Sequence, residues 1–398
     1  MGNEGVMGDL RGSHWILVVV LPAILKLHKL RVLGHGAKGT GSGAPFPMAL
    51  GMPWAIRVVV FLYNALMPDP QHLPIRPRRL RLGPELRAML QRVHLRRSDM
   101  IVPVFVVPGS HIRKEVSSMP GVFQMSVDIA TPWLAQRAEE GFKSYLIFGV
   151  IERTAKDPGG SAGLDPDNVV CRLLREVARQ RIPMAGMTDL CFCEYTSHGH
   201  CGPLTADGST VKNDETVERL VIQAVNHAKA GAAVIAPSGM MDGTVGALRR
   251  GLDASGFEDV AILAYAVKYA SAFYGPFRDA ADSAPAHGDR KSYQMDPARG
   301  PAEALLEARL DIEQGADMIM VKPAAAYLDI IAACRQAFDV PMVAYQVSGE
   351  YAMIEAAAQR GWIDRDRVLL ESLTAIKRAG ADLIITYYAE VLAKLLEG

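Results

Sequence analysis

The sequence predicts an α/β chain whose main body is a (β/α)8 TIM barrel over residues 99–398. Three observations predict it. Short β-branched runs alternate with helical patterns, the signature of parallel βαβ units. Eight such runs can be counted, enough to close a barrel. No G-x-G-x-x-G loop follows any of them, which weighs against an open doubly wound sheet.

The runs, in order, are MIVPVFVV (100–107), SYLIFGV (144–150), IPMAGMTDL (182–190) and AAVIAPS (232–238). They continue with VAILAYAVK (260–268), DMIMVKP (317–323), PMVAYQVS (341–348) and DLIITYY (382–388). Their nearly unbroken apolar character suits strands buried on both faces. The intervening segments are helical, as in DNVVCRLLREVARQ (167–180) and DETVERLVIQAVNHAKAG (214–231). In the second, Asp214 is a candidate cap and Gly231 a stop. Cys171 and Cys334 fall at amphipathic core positions of such helices.

Composition bounds the function. The 398 residues are 49% hydrophobic and 22% charged, as in a globular chain with a sizeable core. Lys plus Arg equals Asp plus Glu at 43 each, which gives no reason to expect nucleic acid or acidic lipid as a partner. Five cysteines are too sparse for a disulfide framework and suit a reducing, cytoplasmic setting. Residues 1–70 read differently, with apolar stretches at 15–25 and 46–67 around a Gly-rich segment. The first is too short to span a bilayer and holds Pro22; the second contains Pro53 and Arg57. The expectation is a disordered extension or a misassigned start with Met67 as first residue, rather than a membrane anchor.

A barrel puts its chemistry at the C-terminal ends of the strands. Those ends carry Asp189, Ser238, Lys268, Lys322, Tyr345 with Ser348, and Tyr387. Lys268 and Lys322 leave adjacent strands, so their tips can meet in the barrel mouth. Desolvation and mutual repulsion would then lower an amine's pKa and free it to attack a ketone. Alternatively one lysine pairs with a carboxylate such as Asp189 while the other is catalytic. After Asp189, Cys191, Cys193 and Cys201 form C-x-C-x7-C. Three thiolates suit a zinc ion with one open position, and thiolate softness favours zinc over magnesium. His198 or His200 could instead complete a closed structural site.

The segments DLCFCEYTSHGHCG, APSGMMDG, VKYASAFYGPFRDAA, GDRKSYQM, GADMIMVKPAAAYLDII, YQVSGEYAM and GADLIITYYA together resemble the porphobilinogen synthase (5-aminolevulinate dehydratase) family. The resemblance runs from about Leu73 to the C-terminus and leaves out residues 1–70. It implies a lyase that condenses two 5-aminolevulinate molecules to porphobilinogen and two waters, in tetrapyrrole (haem) biosynthesis. By resemblance, Lys322 forms the Schiff base with the first-bound (P-side) substrate and Lys268 binds the second (A-side). Cys191, Cys193 and Cys201 would hold catalytic zinc, with Asp189 beside metal and lysines. Ser238, Tyr274 and Phe277 would line the pocket, with Tyr345 beside them. Arg278 and Arg290 would meet the A-side carboxylate, with Gln294 nearby, and Ser348 and Tyr387 the P-side carboxylate. Residues 278–300 form a loop long enough to act as a lid. Glu307 matches a ligand for allosteric magnesium, with an exposed helix carboxylate as the plain alternative. Residues 71–98, with the RPRRLR run at 76–81, match an N-terminal arm that wraps a neighbouring subunit, implying a homo-octamer of arm-exchanged dimers. Two other readings stand beside this one: another Schiff-base aldolase on a barrel, or a non-catalytic zinc-binding protein.

Overall fold

The computed structural model describes residues 75–396. The expectations for the extension at 1–70 therefore lie outside the described residues. The chain divides into two compact units, Met1–Gln91 and Arg92–Gly398. In the first, a 3-10 turn (Pro77–Arg81) and helix α1 (Pro84–Met89) each begin with proline, whose missing N–H costs nothing there. Ile75, Leu80, Leu82, Met89 and Leu90 are exposed. The unit boundary falls before the expected 98/99 break, because the Arg97 guanidinium is already built into the barrel unit. It donates to the carbonyls of Glu140 at 2.9 Å and Ala393 at 2.8 Å.

The second unit is a closed parallel barrel. Its staves are β1 (Met100–Val107), β4 (Ser144–Gly149), β5 (Ala185–Leu190), β6 (Val234–Pro237), β7 (Ala261–Lys268), β8 (Met318–Lys322), β9 (Met342–Tyr345) and β10 (Leu383–Ile385). Each pairs with the next, and β10 returns to β1 through Met100↔Ile384 and Ile101↔Ile385. All eight expected strands are present, and seven are shorter than the apolar runs that announced them. The run at 182–190 enters the ladder only at Ala185, beyond Pro183, which has no N–H to give. The run at 382–388 leaves it after Ile385, where Thr386 turns its hydroxyl to Gln346 at 2.7 Å.

A hairpin that the sequence reading did not anticipate, β2 (Arg113–Glu115) with β3 (Phe123–Ser126), pairs antiparallel. β3 then extends alongside the end of β1, from Phe105↔Gln124 to Val107↔Ser126. Helices α2 (Val127–Glu139), α3 (Val169–Arg179), α4 (Asn213–Lys229), α5 (Thr244–Asp253) and α6 (Gly275–Ala280) follow in order. They continue with α7 (Pro301–Glu313), α8 (Leu328–Ala337), α9 (Ser348–Gln359), α10 (Arg365–Ala379) and α11 (Ala389–Leu395). Asn168 caps α3 by accepting from Cys171 N at 3.0 Å. Asp214 is not the cap of α4: the helix starts one residue earlier, Lys212 is the cap position, and Asp214 lies in the first turn. There its charge still favours the helix N-terminus. Gly231 ends that segment at φ +103°, a conformation other residues rarely take. Cys171 and Cys334 are fully buried core residues.

Candidate active site

The register of β7 and β8 sets the site. Lys268 and Lys322 are Cα partners on the final rung of that ladder. Paired residues of neighbouring strands project to the same face, so both amines enter the barrel mouth together. Both lysines are buried. The Lys322 Nζ lies 4.0 Å from the ring centre of Tyr345 and 5.1 to 5.5 Å from those of Tyr265, Phe277 and Tyr274. Burial, followed by the Lys268 charge, brings the Lys322 amine down to about 7. Lys268 Nζ makes a short hydrogen bond, 2.5 Å, to the Ser238 carbonyl. The Ser238 hydroxyl in turn donates to Asp189 at 3.0 Å. Burial raises Asp189 while the two lysine charges oppose it. The expected alternatives for the lysines thus merge: the carboxylate stands beside both amines and forms no ion pair with either at salt-bridge distance.

The aromatic wall is continuous. Phe277 meets Phe148 edge-on at 5.1 Å, and Phe105 stacks on Tyr387 at 6.2 Å. The hydroxyls of Tyr345 and Tyr387 are 2.8 Å apart. The Tyr274 hydroxyl donates to the Lys322 carbonyl at 3.2 Å. Ser348, at the start of α9, accepts from Phe277 N at 2.8 Å. Its hydroxyl therefore ties α9 to the 273–277 turn. That approach is close: a Cβ on Gly349 would stand 2.5 Å from the Phe273 carbonyl oxygen, so only glycine fits.

Past the end of β5, the Sγ atoms of Cys191, Cys193 and Cys201 converge within 4.8 Å of one another, all buried. Among the described residues this is the group of three metal-ligand side chains that the fold draws together. The closeness of the three sulfurs favours the thiolate at Cys201 and disfavours it at Cys191 and Cys193. Neither expected histidine joins them. His200 has its ring nitrogens on the Tyr293 hydroxyl and the His287 carbonyl, each at 3.0 Å, and His198 bonds the Pro158 carbonyl at 3.1 Å. These contacts leave a set of three sulfurs, the ligand count of a zinc site that keeps one position for water or substrate.

The segment from Ala281 to Gly300 is stitched across this cysteine loop. Ala286 N donates to the His198 carbonyl at 3.0 Å, and Arg290 Nη2 donates to the carbonyls of Gly199 and Ser283 at 2.8 and 2.7 Å. Gly199, at φ +70°, would carry a Cβ only 2.4 Å from the Ala284 carbonyl oxygen. Arg278 belongs to α6 rather than to the loop. Burial and then the Arg290 charge lower it, so two guanidiniums share one neighbourhood. Neither makes an ion pair among the described residues, and Arg290 Nε and Gln294 Nε2 are buried without partners. Such unspent donors suit a carboxylate ligand.

Glu307 stands on α7. It lines a cavity of about 410 Å³ with Asp242, Glu303, Asp296 and Arg299, and the cavity also reaches Gln294. Burial, Asp242 and Glu303 raise it. Two buried residues went unnoticed in the sequence. Glu194 stands next to Cys193, is raised to about 7 by burial and Asp189, and leaves Oε1 unpartnered. Tyr265 lies under both amines. A carboxylate between two candidate ligands was a readable signal for Glu194; nothing in the strand pattern marked Tyr265.

Comparison with known proteins agrees with this geometry. The family model described as delta-aminolevulinic acid dehydratase matches residues 74–395. A delta-aminolevulinic acid dehydratase of Streptomyces coelicolor is 52% identical over 322 residues, covering 81% of this chain and 97% of that protein. One from Methanothermobacter thermautotrophicus is also 52% identical, over 326 residues, covering 81% and 98%. Among solved structures, delta-aminolevulinic acid dehydratase (porphobilinogen synthase) from Toxoplasma gondii, in complex with the reaction product porphobilinogen, superposes with a TM-score of 0.79. It is 40% identical, covering 82% of this chain and 93% of that one.

Proposed function

Because this chain belongs to the delta-aminolevulinic acid dehydratase family, we propose that its cup performs the family's reaction through two lysine imines. Two 5-aminolevulinate molecules condense to one porphobilinogen with release of two waters. The pairing of Lys268 with Lys322 on the last rung of β7 and β8 carries this reading. A barrel aldolase needs one such amine, and a zinc-binding scaffold needs none.

Lys322, with its amine lowered to about 7, is the nucleophile toward the P-side ketone. Its aromatic cage excludes the water that would hydrolyse the imine. Lys268 takes the A-side substrate, and Asp189, linked to it through Ser238, holds or moves protons at either amine. Arg278, Arg290 and Gln294 receive the A-side carboxylate. Tyr387 and, once released from Phe277 N, Ser348 receive the P-side carboxylate. Cys191, Cys193 and Cys201 would hold zinc, which when bound would supply Lewis-acid chemistry beside the A-side substrate. Glu307 would bind an allosteric magnesium ion, supported by the acidic neighbours that a cation would relieve. The exposed apolar residues of the 75–91 unit support its use as an arm in a homo-octamer of arm-exchanged dimers. No helix among the described residues is long and apolar enough to cross a membrane, and we assign the enzyme to the cytoplasm with no nucleic-acid partner.

The test is borohydride reduction in the presence of 5-aminolevulinate, followed by peptide mass mapping. Label at Lys322 and Lys268 is expected. Label at neither sinks the proposal.

A further inference from the structure

Tyr265 is a residue that the reaction as outlined does not use. It lies on β7 three positions before Lys268, and in a regular strand residues three apart face opposite sides. Here they face the same side, because the ladder slips between them. From residue 264 to 267 β7 advances three residues while β8 advances two, from 319 to 321. The extra residue is a β-bulge, a device that re-aims a side chain next to a site. It turns Tyr265 into the barrel without turning Lys268 out. The ring centre of Tyr265 consequently lies 5.4 Å from Lys268 Nζ and 5.1 Å from Lys322 Nζ, a common floor for the two amines.

The phenol end points to a second role. It is buried, and the Asp189 carboxylate is the hydrogen-bonding group it faces, in a contact that falls short of ordinary geometry. A buried hydroxyl left unsatisfied costs about 1–3 kcal/mol, a cost that a well-formed bond to that carboxylate would offset. The Asp189 carboxylate is close enough to raise the phenol further above its ordinary range, after burial. The phenol therefore stays protonated and can only donate toward that carboxylate or a ligand beside it.

We propose that Tyr265 is a positioning residue: the β7 bulge sets its ring beneath both amines so that its phenol fixes the Asp189 carboxylate between them. The proposal rests on the two-lysine reading above. Asp189 receives Ser238 from one side and the phenol from the other as the site closes on substrate. Removing the phenol leaves the carboxylate free to rotate away from the amines.

The test is Tyr265→Phe, which keeps the ring and loses only the hydroxyl, alone and combined with Asp189→Asn. The readouts are kcat, KM and the rate at which 5-aminolevulinate forms a borohydride-trappable imine at each lysine. Tyr265→Phe is expected to lower kcat about tenfold, the size of one hydrogen bond to a charged group, with KM within about twofold. In the Asp189→Asn background the same change is expected to slow trapping no further, because the phenol acts through that carboxylate. Wild-type kcat in Tyr265→Phe overturns the inference. So does a trapping loss that multiplies in full with that of Asp189→Asn. Absence of trapping in the unaltered chain would instead defeat the two-lysine reading itself, which keeps the two failures distinct.

Discussion

The two amines and the three thiols lie near enough for their charges to act on one another but are held by opposite kinds of structure. Lys268 and Lys322 are the last residues of two hydrogen-bonded strands, paired in register and walled by buried aromatics. The cysteines lie on a loop beyond β5, held in part by contacts with a second loop, Ala281–Gly300. The strand side is fixed by the barrel itself, whose ladder and core are formed before any ligand arrives. The loop side is fixed by a few loop-to-loop bonds and, when filled, by its metal. Imine chemistry should therefore survive damage to the loops, whereas assembly of the second substrate should not.

The strand side gives the largest effect. Lys322→Ala should lower activity by roughly 10⁴-fold, since the one amine left, Lys268, holds the other substrate and cannot serve both. Zinc content should stay at the wild-type level. A variant that lost zinc in step with activity would show that the two sides are not independent.

Next comes the loop side. Cys191→Ser should lose zinc and lower activity by about 10²- to 10³-fold while the fold persists, because a soft ligand is replaced by a hard one. The same variant should still trap substrate on Lys322. Full activity in rigorously metal-free buffer, or loss of Lys322 trapping, would break the division.

The contrast also explains what the sequence could reveal. Every barrel strand was legible, because strands buried on both faces leave continuous apolar runs. The lysines were legible as charges closing such runs, and the cysteines as a cluster. Strand ends were not, since Thr386 or Pro183 leaves a ladder for reasons of hydrogen bonding that hydropathy ignores. The β2–β3 hairpin was missed because each strand is only three or four residues long. Arg278, read as part of the loop, is helical because α6 opens at Gly275 with Pro276 in its first turn. Tyr265 was hidden for a different reason: a bulge reverses the alternation by which inward positions are counted. The dual hold on His200, by Tyr293 and the His287 carbonyl, required two distant segments to be seen together.

The pH dependence sharpens the strand side further. A lysine lowered to about 7 is protonated and inert below that value and free above it. Single-turnover trapping at Lys322 should rise about tenfold per unit below pH 7 and level off above it. A rise centred near the ordinary lysine value would mean that burial and Lys268 do not depress the amine.

The smallest effect belongs to the ion pair at the start of the Ala281–Gly300 segment. Asp282, at φ +46°, bonds Arg153 Nη2 at 2.8 Å and Lys156 Nζ at 3.1 Å. Burial opposes the Asp282 charge, but hydrogen bonds from these two cations outweigh it and hold the carboxyl below its usual range. Arg153 makes the larger contribution but is largely exposed and so screened by solvent, while the Lys156 side chain is buried. Asp282→Asn keeps a residue type tolerant of that backbone and removes only the charge. The screened Arg153 contact is worth at most about 1 kcal/mol and Lys156 keeps its bond to the Asp282 carbonyl in the variant, so KM should rise by about threefold with kcat unchanged. Added salt should raise KM in the wild type and leave the variant flat, since the screened interaction is already gone. Cleavage within 281–300 by a protease should quicken in the variant while the strand-held amines trap substrate at the wild-type rate. Equal salt dependence in the two proteins would mean that the loop is held by its backbone stitches to the cysteine segment and that the ion pair is incidental.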